Sequence, residues 1–111
     1  MNDQTPLIRS LDARYYTDPY VFGVERAGLL ARTWQFGCHL SDLPKVGSYV
    51  TFEIAGESLF AIRGRDEKVR VFYNVCQHRA HQLVRGSGVA RVVACPYHAW
   101  TYELTGELRA G

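Results

Sequence analysis

The residues best suited to chemistry form two short pairs, each joining one cysteine to one histidine. One residue separates Cys76 from His78, two separate Cys95 from His98, and sixteen residues lie between the pairs. Two thiolates on one iron and two imidazoles on the other are the donor set of a mixed-ligand [2Fe–2S] cluster. Because neutral imidazoles replace anionic thiolates, such a cluster accepts an electron more readily than an all-cysteine cluster. We therefore predict that these four residues bind one [2Fe–2S] cluster.

The spacing within each pair predicts how it reaches the metal. A one-residue gap in an extended segment puts Cys76 and His78 on the same side. A turn stiffened by Pro96 does the same for Cys95 and His98. The alternative is a structural zinc site, in which all four residues bind one tetrahedral ion. Zinc sites usually pair like with like, so the mixed pairs favour the iron–sulfur cluster.

The sequence around these ligands resembles the Rieske domain of ring-hydroxylating (Rieske non-haem iron) oxygenase α subunits. The similar stretches are residues 74–83, 95–102 and 104–108, with residues 32–36 and 47–49 as a lead-in. His81 and Ala99 look like the branch of this family that oxidises quaternary amines such as carnitine or betaines. The resemblance runs from about Tyr15 to the C-terminus, and it implies the fold and electron-transfer role of that domain.

The resemblance also distinguishes this chain from the Rieske proteins of respiratory complexes. Those proteins carry an extra disulfide-bonded cysteine in each cluster loop and a serine hydroxyl that donates to a bridging sulfide. Here Tyr97 and Trp100 stand where the second loop's cysteine and the serine would be. With fewer donors to the cluster sulfurs, we expect a reduction potential at the low end of the Rieske range.

Length, composition and charge restrict the class of protein. The chain has 111 residues, 47% of them hydrophobic, which is enough for one small core. A net charge of +2 is too small to predict nucleic acid or an anionic membrane as a partner. Residues 1–4 lack the features of a signal peptide, and no apolar run approaches membrane-spanning length. Cys38 has no disulfide partner once the other two cysteines bind the cluster, so we predict a cytoplasmic location.

Turn signals and hydrophobic patterning predict a mostly β fold. We expect a Rieske-type antiparallel β-sandwich over residues 34–111, with a small cluster-binding lobe at about residues 75–102. Residues 1–33 are predicted to be an N-terminal arm and one helix, which starts at Asp18 and Pro19 and runs to about Thr33. Short strands are predicted at residues 34–39, 49–54, 59–63, 69–74, 90–94, 100–104 and 107–109.

Oxygenases of the family that this chain resembles activate O2 at a mononuclear iron held by two histidines and one carboxylate. Only His39 and His81 remain once His78 and His98 bind the cluster, and they lie far apart in the sequence. We therefore expect no catalytic residue in this chain, and we expect the catalytic domain with its mononuclear Fe(II) to be absent from its C-terminal end.

The resemblance implies electron transfer as the function. The domain would take electrons from a reductase or ferredoxin and deliver them to a mononuclear non-haem iron for O2-dependent hydroxylation or demethylation. That iron could belong to a neighbouring subunit of a homotrimer. The alternative is a standalone Rieske ferredoxin that carries electrons without chemistry of its own. The helical segment before the first strand favours the oxygenase.

Overall fold

The N-terminal unit is helical. The computed structural model describes residues 6–111, which divide into two compact units between Thr33 and Trp34. In the first unit, α1 spans Arg14–Thr17, α2 spans Pro19–Glu25, and a π-helical turn follows at Arg26–Leu30. The Asp18 carboxylate accepts the Tyr20 backbone N–H at 2.8 Å, with Pro19 as the first helical residue. This is the helix start that the sequence predicted.

The helix after Asp18 is shorter than predicted. The α-helical pattern stops at Glu25 instead of continuing to Thr33, and a separate helical turn forms within the segment predicted as an arm. The helical backbone continues directly into the π-helical turn, which contains Gly28, a residue of low helix propensity. Residues 1–5 of the predicted arm lie outside the described residues. No helix of residues 6–111 is long and apolar enough to cross a membrane.

A four-stranded antiparallel sheet forms the larger part of the second unit. Its strands lie in the order β3-β2-β1-β4. The bounds are β1 Ser48–Ile54, β2 Glu57–Arg63, β3 Val69–Tyr73 and β4 Ser87–Val89. Ala55 and Gly56 connect β1 to β2, and both have positive φ, as a two-residue hairpin turn matched to strand twist requires.

A smaller three-stranded antiparallel sheet faces the first. It contains β5 (Val93–Ala94), β6 (Thr101–Tyr102) and β7 (Leu108–Ala110), in that order. Gly106 closes the β6–β7 turn with a φ of 93°, and a Cβ there would lie 2.6 Å from the Phe72 ring. Glycine at this position therefore allows both the left-handed backbone and the close approach of the turn to β3.

The core of the second unit lies between the sheets. Phe60 and Ile62 of β2 pack with residues of the smaller sheet and of the loops beside it; these are Cys76, Leu83, Val93, Cys95, Tyr102 and Leu104. Two of the predicted cluster ligands, Cys76 and Cys95, therefore belong to the hydrophobic core. Burial of the sheet face fixes the position of both cysteines.

The mostly β antiparallel fold predicted from the sequence is confirmed. Individual strands differ from the prediction. Residues 34–39 join neither sheet, and the prediction missed β4. The predicted strands at residues 90–94 and 100–104 shrink to two residues each, because bends occupy residues 91–92 and a turn begins at residue 104.

Candidate metal centre

The two cysteine–histidine pairs lie on two loops that follow the same backbone path. In the first loop, residues 76–81, the Cys76 N–H donates to the His81 carbonyl and the Ala80 N–H donates to the Cys76 carbonyl. In the second loop, residues 95–100, the Cys95 N–H donates to the Trp100 carbonyl and the Ala99 N–H donates to the Cys95 carbonyl. All four distances are 2.8–2.9 Å. The fifth residue of each loop is left-handed, with φ of 55° at Ala80 and 60° at Ala99.

This geometry corrects one prediction. The first pair does not lie on an extended segment, because residues 77–79 form a turn just as residues 96–98 do. His78 is the third residue of its loop, whereas His98 is the fourth of its own. Pro96 is therefore not needed for the turn, since the first loop makes the same turn with Gln77 at that place.

The four predicted ligands separate into a buried sulfur pair and an exposed nitrogen pair. Cys76 and Cys95 are 3% and 4% exposed, and both belong to the same buried cluster of the core. His78 and His98 are exposed, and their Nδ1 atoms are 3.1 Å apart. The two imidazoles thus face each other through Nδ1 and turn their remaining ring edges outward.

The pairing of donors fits two metal ions better than one. Within residues 6–111, no three histidine, cysteine or acidic side chains come close enough to hold one metal ion. A tetrahedral zinc site would bring all four donors together. A [2Fe–2S] cluster instead takes thiolates at one iron and imidazoles at the other, which is how these side chains are grouped. The residues present therefore fit the cluster and disfavour zinc.

Tyr102 of β6 supplies a hydroxyl to the first loop. Its oxygen accepts the Gln77 N–H at 3.0 Å and lies 3.3 Å from Cys76 Sγ. Because the backbone N–H already occupies an acceptor site, the hydroxyl proton is free to donate to the sulfur. The sequence prediction did not count this donor. A buried tyrosine on a core strand needs a partner for its hydroxyl, and that requirement could have indicated it.

The environment of Cys76 favours a thiolate. Burial raises the pKa of its thiol. Hydrogen bonds from the Tyr102 hydroxyl and from the His78 and Arg79 backbone N–H groups lower the pKa by more than burial raises it, so the net shift is downward. Burial, and then the bond to Cys76, raise the pKa of Tyr102 and keep its proton on the oxygen. A low thiol pKa suits a metal ligand because the thiolate is the form that binds.

Aromatic rings of the second loop support both imidazoles. Trp100 stacks on His78 with ring centres 4.6 Å apart and planes 7° from parallel. Tyr97 lies against His98 at 3.9 Å and also stacks on His81 at 5.7 Å. The second loop therefore restrains the ring of its own histidine and that of the first loop.

A buried asparagine closes the first loop at its base. Asn74 is 1% exposed, and its Oδ1 accepts the Leu83 and Val84 N–H groups at 3.0 Å. Its Nδ2 donates to the Val84 carbonyl at 2.8 Å and to Ser58 Oγ at 3.3 Å. Asn74 thereby ties the end of β3 to the chain leaving the loop. Its role was not predicted from the sequence.

The remaining histidines and the third cysteine make local interactions elsewhere. His39 Nδ1 accepts the Ser41 N–H at the start of a short 3₁₀ helix, Leu40–Asp42. His81 Nδ1 lies 2.7 Å from the Gln82 carbonyl. Burial, and then the nearby Asp42 carboxylate, raise the pKa of the Cys38 thiol. None of the three belongs to a group of metal-binding side chains within residues 6–111.

Known proteins share both the sequence and the structure. Residues 33–111 match the Rieske [2Fe-2S] domain family. The oxygenase subunit of carnitine monooxygenase from Escherichia coli (strain K12) is 48% identical over 100 residues, which are 89% of this chain and 27% of that protein. The chain thus spans about a quarter of the length of this curated relative.

Solved structures of Rieske oxygenases are also similar to this chain. The apo form of a quaternary ammonium Rieske monooxygenase matches with a TM-score of 0.87 and 42% identity, over 92% of this chain and 30% of the other. Naphthalene 1,2-dioxygenase with indole bound matches with a TM-score of 0.80 and 35% identity, over 86% of this chain and 22% of the other. The predicted resemblance to the quaternary-amine branch is confirmed. The loops, their donors and these matches lead to one conclusion: the chain belongs to the Rieske [2Fe-2S] domain family, in the form found in oxygenase α subunits.

Proposed function

We propose that Cys76, His78, Cys95 and His98 hold one [2Fe–2S] cluster, through which residues 34–111 relay single electrons. The observation that carries this proposal is the separation of a buried sulfur pair from an exposed imidazole pair. When bound, the cluster supplies reversible one-electron chemistry.

The residues of the chain define an inner and an outer end of the site. Cys76 and Cys95, buried in the core, keep water from the sulfur-ligated end. His78 and His98 leave ring edges at the surface, where a redox partner can approach closely. The Tyr102 hydroxyl donates to Cys76 Sγ and offsets the negative charge that reduction adds at the cluster.

In the whole protein, we propose that electrons come from a reductase or ferredoxin and pass to a mononuclear non-haem iron of an oxygenase catalytic domain. That domain could belong to a neighbouring subunit of a homotrimer. The 48% identity to a carnitine monooxygenase subunit favours a quaternary ammonium substrate and O2-dependent hydroxylation or demethylation. The three cysteines, which are all free of disulfides, favour a cytoplasmic location.

Metal analysis of the purified chain tests the cluster. Iron and acid-labile sulfide should each be present at about two per chain, with an EPR signal after dithionite reduction. Cys76→Ser should abolish that signal. Cys38→Ser is the matched control and should retain it, because Cys38 lies outside the two loops. Stoichiometric zinc, or equal loss of the signal in both variants, would contradict the proposal.

A turnover assay tests the division of labour. With NADH, a flavin reductase, O2 and carnitine, the chain alone should undergo reduction and reoxidation but leave carnitine unchanged. Once His78 and His98 serve the cluster, only His39 and His81 remain as imidazole donors, and both make local interactions elsewhere. Oxidation of carnitine by the 111-residue chain would overturn the assignment of an electron-relay role.

A further inference from the structure

The imidazole of His78 lies flat against a side chain of the other loop. The Trp100 indole stacks on it with ring centres 4.6 Å apart and planes only 7° from parallel. The contact of His98 with Tyr97 of its own loop is tilted by 33°. Among the described residues, the Trp100–His78 stack is thus the most parallel ring contact that either proposed imidazole ligand makes.

The loop backbone alone leaves the plane of the His78 ring free. The torsion about the Cβ–Cγ bond of histidine is broad and roughly two-fold, so a fixed backbone does not select one ring orientation. The shared backbone path does not select it either, because His78 is the third residue of its loop and His98 the fourth of its own. A contact from outside the first loop is needed, as it is for many metal-bound imidazoles.

Trp100 is held well enough to supply that contact. Its carbonyl accepts the Cys95 N–H at 2.8 Å, and the next residue, Thr101, pairs with Ala94 in the smaller sheet. Its side chain is half-buried and packs against the hydrophobic core of the second unit. A Cβ at Gly111 would lie 3.2 and 3.3 Å from the two atoms that the rings of the indole share. Because such a position exists only above a face of the indole, the backbone after β7 also restricts the ring.

We propose that Trp100 is a positioning residue: its indole, fixed by the core and the smaller sheet, sets the plane of the His78 imidazole. The inference rests on the proposed function, in which His78 binds the cluster. It means that the second loop orients the imidazole of the first, so the two loops do not position their ligands independently. Removal of the indole should therefore disturb one imidazole and spare the other.

Pulsed EPR of the dithionite-reduced chain tests the proposal, because the coupling between the electron spin and a bound nitrogen depends on the orientation of the imidazole ring. Histidine labelled with a nitrogen isotope separates the imidazole signals from those of the backbone. We expect one coupling from each imidazole in the parent chain. His78→Cys and His98→Cys each leave a single imidazole and thereby assign the two couplings.

Trp100→Leu should broaden the His78 coupling roughly twofold, because the ring samples several planes once the stack is removed. The His98 coupling should keep its width, since Tyr97 still supports that ring. Trp100→Phe retains an aromatic face and should restore the parent spectrum. Trp34→Leu is the matched control, because the Trp34 side chain is fully exposed in the described part of the chain, and it should change neither coupling.

Gly111→Ala moves the indole without changing either loop. The added Cβ displaces the ring by a few tenths of an ångström, so the His78 coupling should shift while the His98 coupling stays constant. This variant decides the question if Trp100→Leu binds no cluster, and an unchanged His78 coupling would then refute the proposal.

The pattern of changes separates positioning from a general structural role. Equal broadening of both couplings in Trp100→Leu would show that the whole cluster-binding lobe has loosened, and it would overturn the proposal. A His78 coupling that is the same in Trp100→Leu as in the parent chain would overturn it too. A parent chain without an EPR signal refutes the proposed function itself, whereas two intact couplings that respond to neither variant refute only the role of Trp100.

Discussion

The two cluster loops have the same backbone conformation but depend on different parts of the protein. Both are closed by the same pair of hydrogen bonds, and both have alanine in the left-handed fifth position. The second loop is flanked by paired strands, with Val93 opposite Tyr102 and Ala94 opposite Thr101. The first loop has no such ladder at its base. Hydrogen bonds of the Asn74 side chain take the place of strand pairing there.

The cysteine and histidine side chains of the two loops also depend on different parts of the protein for their positions. Both cysteines occupy the first position of their loop, so the shared backbone places both sulfurs in the core. The histidines occupy different positions, and stacking on Trp100 and Tyr97 aligns their rings. The comparison teaches that the backbone positions the two cysteine sulfurs, whereas individual side chains position the two imidazoles that we propose as ligands. Four sets of variants test this division.

Converting a histidine ligand to cysteine should have the largest effect. His98→Cys adds one negative charge to the cluster, so an incoming electron meets more repulsion and the reduction potential falls by on the order of 200 mV, toward all-cysteine clusters. His78→Cys should cause a similar fall, because we propose that both imidazoles bind the same iron. Spectroelectrochemical titration measures both potentials. An unchanged or raised potential in a variant that keeps its cluster would contradict the charge argument.

Removing the Asn74 side chain should have the second-largest effect. Asn74→Ala leaves the buried Leu83 N–H and the half-buried Val84 N–H and carbonyl without the Asn74 partner, which should lower the free energy of unfolding by about 2–4 kcal/mol. The first loop should loosen, so a chelator should remove iron faster. Ser58→Ala removes only the 3.3 Å bond and should cost about 1 kcal/mol or less. Urea unfolding and the rate of iron release are measured for both variants. If Asn74→Ala and Ser58→Ala lower the free energy of unfolding equally, the Asn74 side chain is not what holds the first loop.

A smaller change in reduction potential is expected when the Tyr102 hydroxyl is removed. Tyr102→Phe removes the donor to Cys76 Sγ, which stabilises the more negative, reduced state, so the reduction potential should fall by about 40 mV, the equivalent of roughly 1 kcal/mol for one electron. Tyr97→Phe is the matched control, since it keeps the ring against His98 and should leave the potential unchanged. If both variants shift equally, the hydroxyl of Tyr102 has no specific role.

The smallest effect is expected from glycine substitutions at the left-handed alanine of each loop. Ala80→Gly and Ala99→Gly relieve the left-handed strain of alanine, and each should raise the free energy of unfolding by up to about 1 kcal/mol. Ala90→Gly, at a residue without positive φ, should lower it by about 0.5–1 kcal/mol. Thermal unfolding of the three variants provides the comparison. Opposite signs for Ala80→Gly and Ala99→Gly would show that the two loops are not equivalent.

Local signals in the sequence were enough for the helix start. The Asp18–Pro19 pair acts within a few residues, so its effect does not depend on distant partners. The helix after Asp18 and the strand expected at residues 34–39 were less predictable. A run of apolar residues shows that burial is possible, but only the rest of the fold determines whether a partner strand is available.

The sequence by itself determined the chemistry of the centre: two thiolates and two imidazoles in mixed pairs, within a small antiparallel β domain. Only the tertiary structure decided that both pairs sit on the same kind of turn and that Tyr102 and Asn74 support the first loop. The reason is physical. Residue type fixes what an atom can bind, whereas Tyr102 and Cys76, 26 residues apart, come within 3.3 Å only when burial of the core brings the two sheets together.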